Sequence, residues 1–442
     1  MNIGYISADF GVPVFGFKGA SIHVREMIAA MRQGGHNVCI LSSAMHAGKG
    51  SENVSNMGAT GFKEIPVVQR ALFNLPDSKN GAKAGDIDFC AINTTPAHLS
   101  IFEEIEKLDQ FWGKKTRIKQ ELRNLLYNVT LTEQAQACLG IFPVDFIYER
   151  YSLFAYAGLK VARSLKLPHI LEVNAPLAYE QEKMRGLEMK TLAHDAEDRI
   201  FRETDHIFVV SDELKTFVES RGGDPEKIEV LPNSVDPERF NKADAQRVRS
   251  LLGLEKKRIL GFVGSLKPWH GTESLVEAFS LLDLTDTHLL IVGDGPMREE
   301  LEMLAIKKGI KDNVTFTGKV SYDEIPDYIA AMDIPVAPYL PNDNFYFSPI
   351  KIFEYMSCSK PVVAGRIGQI EQIIQDGENG FTFIPGNIED LKKQLQRLLI
   401  DAPLRESMGK TGKAWVDMER TWKNNARIVL KTAEKLKMKN EN

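Results

Sequence analysis

Two successive series of short apolar segments, separated by helical patterns, constrain the fold of this chain more than any other feature. Short apolar runs bounded by turn residues are typical of parallel strands that are buried on both faces. The first series lies at residues 3–6, 38–41, 146–148, 170–173, 207–210 and 228–233, and the second at 259–263, 289–292, 314–316, 334–337, 361–364 and 381–383. This alternation predicts an α/β protein with two consecutive doubly wound sheets.

The predicted architecture indicates where a ligand would bind. In doubly wound sheets, ligands bind beyond the carboxyl ends of the strands, and with two domains we expect the site in the cleft between them. A chain of 442 residues is long enough for two such domains. The polar residues 241–257 predict a linker and a first helix between the two series, and long helical patterns follow residue 401.

Composition and charge exclude several classes of protein. A formal net charge of −5 gives no reason to expect a nucleic-acid partner. No apolar run approaches the roughly 20 residues of a membrane-spanning helix, and because the opening residues read as a strand we expect no signal peptide. The four cysteines Cys39, Cys90, Cys138 and Cys358 are far apart, so we interpret them as reduced thiols of a cytoplasmic protein without a metal site.

The segment at residues 347–356 has the strongest pattern for a binding site. Ser348 is suited to cap a helix with Pro349 at its first position, which leaves the backbone N–H groups of Ile350 and Lys351 free to bind an anion such as a diphosphate. Lys351 adds a positive charge. Glu354 shares the same helical face and can accept hydrogen bonds from ribose hydroxyls. The alternative is an ordinary capped helix with a surface ion pair.

This segment, with the following Pro-Val-Val-Ala, resembles the donor-site motif of the retaining glycosyltransferases of family 4, which have the GT-B fold. Glu354 matches the second glutamate of the family's E-x7-E pair, which binds the ribose of the donor, while Tyr346 stands at the first. The resemblance implies a first Rossmann-like domain at residues 1–240, a donor domain at 241–410, and a final helix at 411–442 that returns to the first domain.

The loop at residues 262–271 resembles the family's V-G-R-L-x-x-x-K-G segment, whose arginine and lysine neutralise the donor diphosphate. After Gly264, those two positions carry Ser265 and His270. Lys267 is the obvious replacement cation, and His270 can still donate a hydrogen bond. The alternative for His270 is a partly buried structural histidine.

Two further loops of the second half resemble family motifs. Gly293 and Gly295 lie in a G-D-G-P loop, and Lys319 and Val320 lie where family members hold the base through backbone groups. Each loop could also be a simple strand-to-helix turn. Residues 231–236 resemble the family's hinge signature.

In the first half, residues 15–23 resemble the family's first loop. Gly19 is our choice for close backbone contact with the donor. His23, on the following helix, either faces the cleft or packs in the core. Asn174 follows a strand at a position where many relatives place a histidine near the sugar, and Asn174 could bind a sugar hydroxyl there.

The function that the resemblance implies is transfer of a sugar from a UDP- or GDP-sugar to a glycan, lipid or small-molecule acceptor, with retention and without a metal or other cofactor. Lys267 and Glu354 are the residues to which we assign catalysis. Three alternatives stay open: a non-catalytic nucleotide-sugar-binding partner, a GT-B epimerase or phosphorylase, and an NAD-dependent oxidoreductase.

Two other patterns could indicate contacts with a surface or a metal. The basic stretch at residues 114–123, preceded by Phe111 and Trp112, could bind an anionic membrane surface weakly or could be a solvated helix face. The single D-x-D at residues 86–88 opens an apolar run, so we interpret it as the edge of a strand and not as a metal site.

Overall fold

The computed structural model describes residues 1–16, 18–43, 69–71, 87–92, 94–342 and 345–441. The chain divides into two compact units. Unit 1 comprises Met1–Pro232 and Lys423–Asn442, and unit 2 comprises Asn233–Trp422. The chain therefore changes unit after Pro232, inside the predicted hinge signature, and returns to unit 1 after Trp422. These points differ from the boundaries at residues 240 and 410 that we expected from the sequence.

Unit 1 is built around one sheet, which in the described residues has eight strands in the order β3-β4-β2-β1-β5-β6-β7-β8. All neighbouring pairs are parallel except β3 and β4, which are antiparallel. The strands are β1 (Asn2–Ser7), β2 (Asn37–Ser42), β3 (Gln69–Ala71), β4 (Ile87–Ala91), β5 (Phe146–Arg150), β6 (His169–Val173), β7 (His206–Val209) and β8 (Ile228–Val230).

The α-helices of unit 1 that precede the last helix of the chain are α1 (Gly19–Gln33), α2 (Pro96–Trp112), α3 (Ile118–Ile141), α4 (Ala157–Leu165), α5 (Leu177–Glu180), α6 (Lys190–Glu203) and α7 (Asp212–Ser220). The longest of these helices, α2 and α3, lie between the strands predicted at 38–41 and 146–148, where the sequence analysis singled out only the basic stretch and the D-x-D. The sequence predicts that the D-x-D at residues 86–88 is the edge of a strand. Strand β4 begins at Ile87, and Asp86 lies outside the described residues.

Unit 2 contains a second parallel sheet of six strands in the order β11-β10-β9-β12-β13-β14. Its elements are α8 (Pro237–Phe240), α9 (Ala245–Leu252), β9 (Arg258–Val263), α10 (Thr272–Ser280), β10 (Thr287–Val292), α11 (Arg298–Lys307), β11 (Val314–Gly318), α12 (Ile325–Ala331), β12 (Ile334–Ala337), α13 (Ile350–Ser357), β13 (Val362–Gly365), α14 (Ile370–Ile373), β14 (Gly380–Phe383), α15 (Ile388–Ile400) and α16 (Ala402–Glu419). The last helix, α17 (Trp422–Glu441), belongs almost entirely to unit 1.

The second sheet is covered by helices on both faces, because side chains alternate along each strand. In β9, Ile259 and Val263 pack into one core with α12 and α13, while Leu260 and Phe262 pack into the other with α10 and α15. This arrangement confirms the predicted doubly wound α/β class. No helix in the described part of the chain is both long enough and apolar enough to cross a membrane.

One prediction about the cysteines is wrong. Cys90 in β4 and Cys138 in α3 form a disulfide, with 6.6 Å between their Cα atoms, although 48 positions separate them in sequence. Cys39 is buried and Cys358 is half-buried, and neither belongs to this disulfide. Spacing could not reveal the pair, since the fold brings together two residues that belong to no local motif.

Candidate donor site

Three loops of unit 2 meet at the carboxyl ends of β9, β10 and β11. Backbone hydrogen bonds join them: Gly264 N donates to Val292 O at 2.9 Å, and Gly293 N donates to Gly318 O at 3.0 Å. The loops that carry the sequence-predicted residues Gly264, Gly293 and Lys319 are therefore direct neighbours. This is the sheet edge at which doubly wound folds bind ligands.

The glycines of these loops are required by the packing of backbone on backbone. Gly293 has a φ of +134°, and a Cβ at this residue would lie 1.9 Å from the carbonyl oxygen of Gly264. A Cβ at Gly295 would lie 2.5 Å from the carbonyl oxygen of Leu266. Gly293 and Gly295 thus hold the loops together, which is the turn interpretation that the sequence left open.

Gly264 has a different role from the other two glycines. Its φ is +144°, and a Cβ there would lie 2.9 Å from the Nζ atom of Lys351. The missing side chain leaves room for the lysine ammonium. Gly264 and Lys351 are far apart in sequence, but a side chain at Gly264 would collide with the Lys351 ammonium.

The start of α13 differs from the predicted cap. The helix begins at Ile350, with Pro349 at the N-cap position and no side-chain capping hydrogen bond. The Ser348 hydroxyl instead accepts a hydrogen bond from Asn233 N at 3.0 Å, and the Ser348 carbonyl accepts one from Asn233 Nδ2 at 2.8 Å. The predicted Ser348 cap is therefore wrong. Because no side chain caps the helix, its first N–H groups have no side-chain partner.

The Lys351 ammonium is buried and has no hydrogen-bond partner among the described residues. Its Nζ atom lies 4.1 Å from the ring centroid of Phe262 and 5.4 Å from that of Tyr339. Burial lowers the pKa of Lys351 to about 7, although the Glu354 carboxylate acts in the opposite direction. Aromatic faces stabilise a cation only partly, and no anion of the described residues is within hydrogen-bond distance of this ammonium.

His270 is held as a neutral side chain. Its Nδ1 atom lies 2.5 Å from the carbonyl oxygen of Ser265, and because a carbonyl only accepts, Nδ1 carries the hydrogen. Burial and the nearby charges of Lys351 and Lys267 lower the pKa of His270 to about 3. The hydrogen on Nδ1 of His270 is thus bonded to Ser265 within the loop, and Nε2 carries a lone pair. This contact favours the alternative of a partly buried structural histidine.

Lys267 and Ser265 lie on the same tight turn as His270. Lys267 N donates to Ser265 O at 3.0 Å, and His270 N donates to Lys267 O at 3.0 Å. The Lys267 side chain is half-buried, with Nζ 5.9 Å from the ring centroid of Trp269. The turn therefore gathers Ser265, Lys267 and His270 beside the buried ammonium of Lys351.

The remaining predicted residues of unit 2 surround this group. Glu354 is buried on α13, one turn after Lys351. Tyr346 is buried with its ring centroid 4.5 Å from that of Phe347, so an aromatic cluster occupies the position of the family's first glutamate. Lys319 is exposed and Val320 is half-buried directly after β11.

In unit 1, two of the predicted residues meet at a side chain that the sequence analysis did not single out. His23 Nε2 lies 2.9 Å from Glu172 Oε2, and Asn174 Nδ2 contacts Glu172 Oε1. Arg150 and Tyr148 also contact this carboxylate. The signal that could have found Glu172 is a glutamate inside an otherwise apolar strand.

Gly19 is separate from that cluster. It is the first residue of α1, it is exposed, and nothing lies within 4 Å of the position that a Cβ would take. No packing inside the described part of unit 1 therefore requires glycine here.

Sequence models of two families match the chain. The one described as Glycosyltransferase Family 4 matches residues 112–239, and the one described as Glycosyl transferases group 1 matches residues 245–415. The chain belongs to glycosyltransferase family 4. The resemblance seen in the sequence motifs is therefore confirmed.

Within the aligned regions, several named glycosyltransferases are between a quarter and a third identical to this chain. An alpha-D-kanosaminyltransferase of Streptomyces kanamyceticus is 27% identical over 58% of this chain and 67% of its own length. A GDP-mannose-dependent alpha-(1-6)-phosphatidylinositol monomannoside mannosyltransferase of Mycobacterium tuberculosis is 29% identical over 54% of this chain and 63% of its own length. The chain thus spans about two thirds of the length of these relatives.

Solved structures share the fold along nearly the whole chain. The Anabaena protein HepE, crystallised in complex with UDP, is 18% identical with a TM-score of 0.70, and the match covers 98% of this chain and 100% of that one. Sucrose-phosphate synthase from Thermosynechococcus elongatus is 18% identical with a TM-score of 0.68 and 98% coverage of both chains. The GT-B fold expected for family 4 is confirmed.

Proposed function

We propose that this protein transfers a sugar from a nucleoside-diphosphate sugar to an acceptor, and that unit 2 binds the donor. The observation that carries the proposal is the buried Lys351 ammonium, which has no hydrogen-bond partner among the described residues. An uncompensated buried charge is strongly unfavourable, so its retention beside the uncapped start of α13 favours an anionic ligand. A diphosphate would satisfy both the ammonium and the free N–H groups.

The neighbouring side chains then have distinct proposed roles. Lys267, on the turn after β9, would stabilise the leaving diphosphate, and Glu354 would accept hydrogen bonds from the ribose. Backbone groups at Lys319 and Val320 would hold the base. Gly19, His23 and Asn174 belong to unit 1, and the roles that the family resemblance implies for them stay predictions.

The proposed reaction keeps the configuration of the anomeric carbon. The bond from that carbon to the diphosphate oxygen breaks while a bond to the acceptor oxygen forms on the same face, and the departing phosphate takes the acceptor's proton. Charge grows on the diphosphate as it leaves, which is the point at which fixed cations and a helix N-terminus lower the barrier. Lys267, Lys351 and the first turn of α13 supply these groups without a metal ion.

Two classes of nucleotide sugar are the candidate donors. A structural neighbour was crystallised with UDP, and a relative is named as GDP-mannose-dependent, so UDP- and GDP-sugars are the first donors to test. Glycans, lipids and small molecules are the acceptor classes. We expect purified protein to release nucleoside diphosphate from one donor of such a panel, and that donor to raise the unfolding temperature by mass action. Stabilisation without release would instead indicate a non-catalytic binding protein.

Lys351→Met tests whether the buried ammonium binds the diphosphate, because methionine has a similar shape without the charge. We expect the affinity for nucleoside diphosphate to fall at least about tenfold, since hydrogen bonds to charged groups contribute about 1.5–3 kcal/mol. The unfolding temperature of the free protein should stay the same or rise, because an unpaired buried charge is removed. Lys393→Met, on the exposed side of α15, is the matched control. Equal diphosphate affinity in both variants would contradict the site.

A further inference from the structure

Unit 2 has an open cleft beside β14, which is the strand at the other end of the sheet from the candidate donor site. Strands β12 and β13 lie between β14 and β9 in the sheet. The cleft has a volume of about 590 Å³, and Arg366, Thr382, Ile384 and Arg397 are among the residues that line it. None of the described residues that we group around Lys351 belongs to this lining. A cleft of this size can hold a ligand as large as a sugar phosphate.

The two carboxylates of the cleft are bound to the outer edge of β14. Asp376 Oδ1 accepts a hydrogen bond from Thr382 N at 2.5 Å, and Asp390 Oδ2 accepts one from Ile384 N at 2.8 Å. These are the N–H groups with which a sheet edge would pair an added strand. Because side chains already occupy them, the edge is closed to a peptide that binds by strand addition.

The Arg397 guanidinium is held beside the cleft with most of its donors unused. Its central carbon lies 3.8 Å from the ring centroid of Phe381, a buried residue of β14. Within the described part of the chain it makes one hydrogen bond, from Nη1 to Gln394 Oε1 at 3.0 Å, and it has no ion pair with a carboxylate. A guanidinium has five N–H donors, so most of those on Arg397 remain for a ligand.

The second guanidinium of the cleft belongs to Arg366 and is fixed by two contacts. Its Nε donates to Thr382 Oγ1 at 2.9 Å, and its Nη2 donates to Asp376 Oδ2 at 3.1 Å. Nη1 has no hydrogen bond to any described residue, and 52% of the side chain is exposed. Two guanidiniums, each held against β14 or its flanking loop, therefore have donors available in one cleft.

We propose that this cleft is a second anion site of unit 2, which binds the phosphate or carboxylate group of a ligand about as large as a monosaccharide. The planar fork of a guanidinium matches both groups, because it can donate two parallel hydrogen bonds to their oxygens. Arg366 and Arg397 are already held by their neighbours, which lowers the entropic cost of ordering them on binding. Ile384, which is 58% exposed, offers an apolar contact to the rest of the ligand. The inference does not depend on the proposed transferase function.

The test measures binding of glucose 6-phosphate, glucuronate and glucose to the full chain by calorimetric titration. Lys351→Met is the background, because it lacks the ammonium that we propose binds phosphate at the donor site. We expect at least one of the two anionic sugars to bind, and glucose to show no measurable binding. The anion that binds more tightly identifies the group as a phosphate or a carboxylate. Its affinity should fall as salt is added, because salt screens exposed charges.

Variants of Arg397 in the same background assign the binding to the cleft. Arg397→Met should weaken binding of the anion at least about tenfold, because the charged hydrogen bonds are lost while methionine still covers Phe381. Arg397→Lys keeps the charge without the fork and should recover only part of the affinity. Lys307→Met, which removes an exposed charge from α11, is the matched control and should leave the affinity unchanged.

Three results would overturn the proposal: no binding of either anionic sugar, binding of glucose as tight as that of the anions, or equal anion affinity in Arg397→Met and Lys307→Met. A failure of the donor site is detected separately. It would appear as an unchanged affinity for nucleoside diphosphate in Lys351→Met, whatever the Arg397 variants show.

Discussion

Two lysines approach the carboxyl edge of the second sheet, and their surroundings give them different chemistry. Lys351 has a buried ammonium that lies over the face of Phe262, and burial lowers its pKa to about 7. Lys267 lies half-buried on the turn after β9. A buried cation without a hydrogen-bond partner responds both to pH and to a bound anion.

The first prediction concerns the pH dependence of donor binding. Because burial lowers the pKa of Lys351 to about 7, the free protein gains or loses this proton near neutral pH, and a bound diphosphate favours the protonated form by raising that pKa. Binding above this pH must therefore take up a proton, and affinity should fall by up to about tenfold per pH unit as the pH rises above about 7.

Calorimetric titration of nucleoside diphosphate across this pH range checks the prediction. Lys351→Arg is the control, because arginine remains charged at every pH used and also reports any titration of the ligand. An identical pH profile in parent and variant would assign the proton to another group.

The second prediction concerns Lys267. Ser265 is neutral and burial holds His270 neutral, so Lys267 is the permanent charge of this turn. Its effect should be larger on the transition state than on donor binding, because charge grows as the leaving group departs. We expect Lys267→Ala to lower kcat by at least about 10²-fold, by analogy with the loss of one preorganised donor at a developing anion.

Steady-state kinetics with the identified donor measure this effect. Lys267→Arg should restore only part of the rate, because its planar fork has a different reach. Turnover of Lys267→Ala within a few-fold of the parent would show that Lys351 and the start of α13 stabilise the leaving group without it.

At the scale of elements, the basic residues around the turn between α2 and α3 fall into two groups. Some contact other parts of unit 1, and the others are exposed. Arg117 Nε donates to Arg185 O at 3.0 Å, Lys119 pairs with Glu106, and the Arg123 guanidinium lies 4.2 Å from the ring centroid of Phe10. These three side chains are engaged inside unit 1. The basic stretch predicted as a solvated or membrane-binding face is therefore narrower than its sequence indicates.

What remains exposed is a small tip at the end of α2. Phe111 is 83% exposed and Trp112 is 55% exposed, and the exposed Lys114 and Lys115 follow. Exposed aromatic rings beside lysines are suited to the interface of an anionic bilayer. We predict weak binding of the protein to vesicles that contain an anionic lipid.

Vesicle co-sedimentation with and without anionic lipid tests this tip. Phe111→Ser with Trp112→Ser should reduce pelleting, while Ile400→Ser should not, although Ile400 is also 83% exposed on unit 2. Equal pelleting on neutral and anionic vesicles would rule out the electrostatic contribution.

At the scale of the whole molecule, the chain leaves unit 1 after Pro232 and returns to it with α17. Each unit has its own parallel sheet and its own cluster of polar groups at the carboxyl edge. We propose that the protein balances phosphate charge with Lys267 and Lys351, and we therefore predict that turnover continues in excess EDTA. Complete loss of activity that manganese or magnesium restores would contradict this prediction, and a metal-dependent transferase treated in parallel shows that chelation was complete.

The sequence by itself determined the family of this protein and most strands of its two sheets. Apolar runs with turns between them predicted both sheets, because strands buried on two faces must be apolar throughout. The donor motif around Glu354 and Lys351 predicted a charged helix start. These features depend on residues close together in the chain, which local patterns can report.

Only the tertiary structure decided which distant residues meet. It placed Gly264 against Lys351, joined Cys90 to Cys138, and gave the Ser348 hydroxyl to Asn233 in place of a helix cap. It also gathered His23 and Asn174 at Glu172, although His23 comes from a different element. Such contacts depend on how strands and loops are arranged in space. A lone glutamate in an apolar strand or a glycine in a loop has no local pattern that identifies its partner.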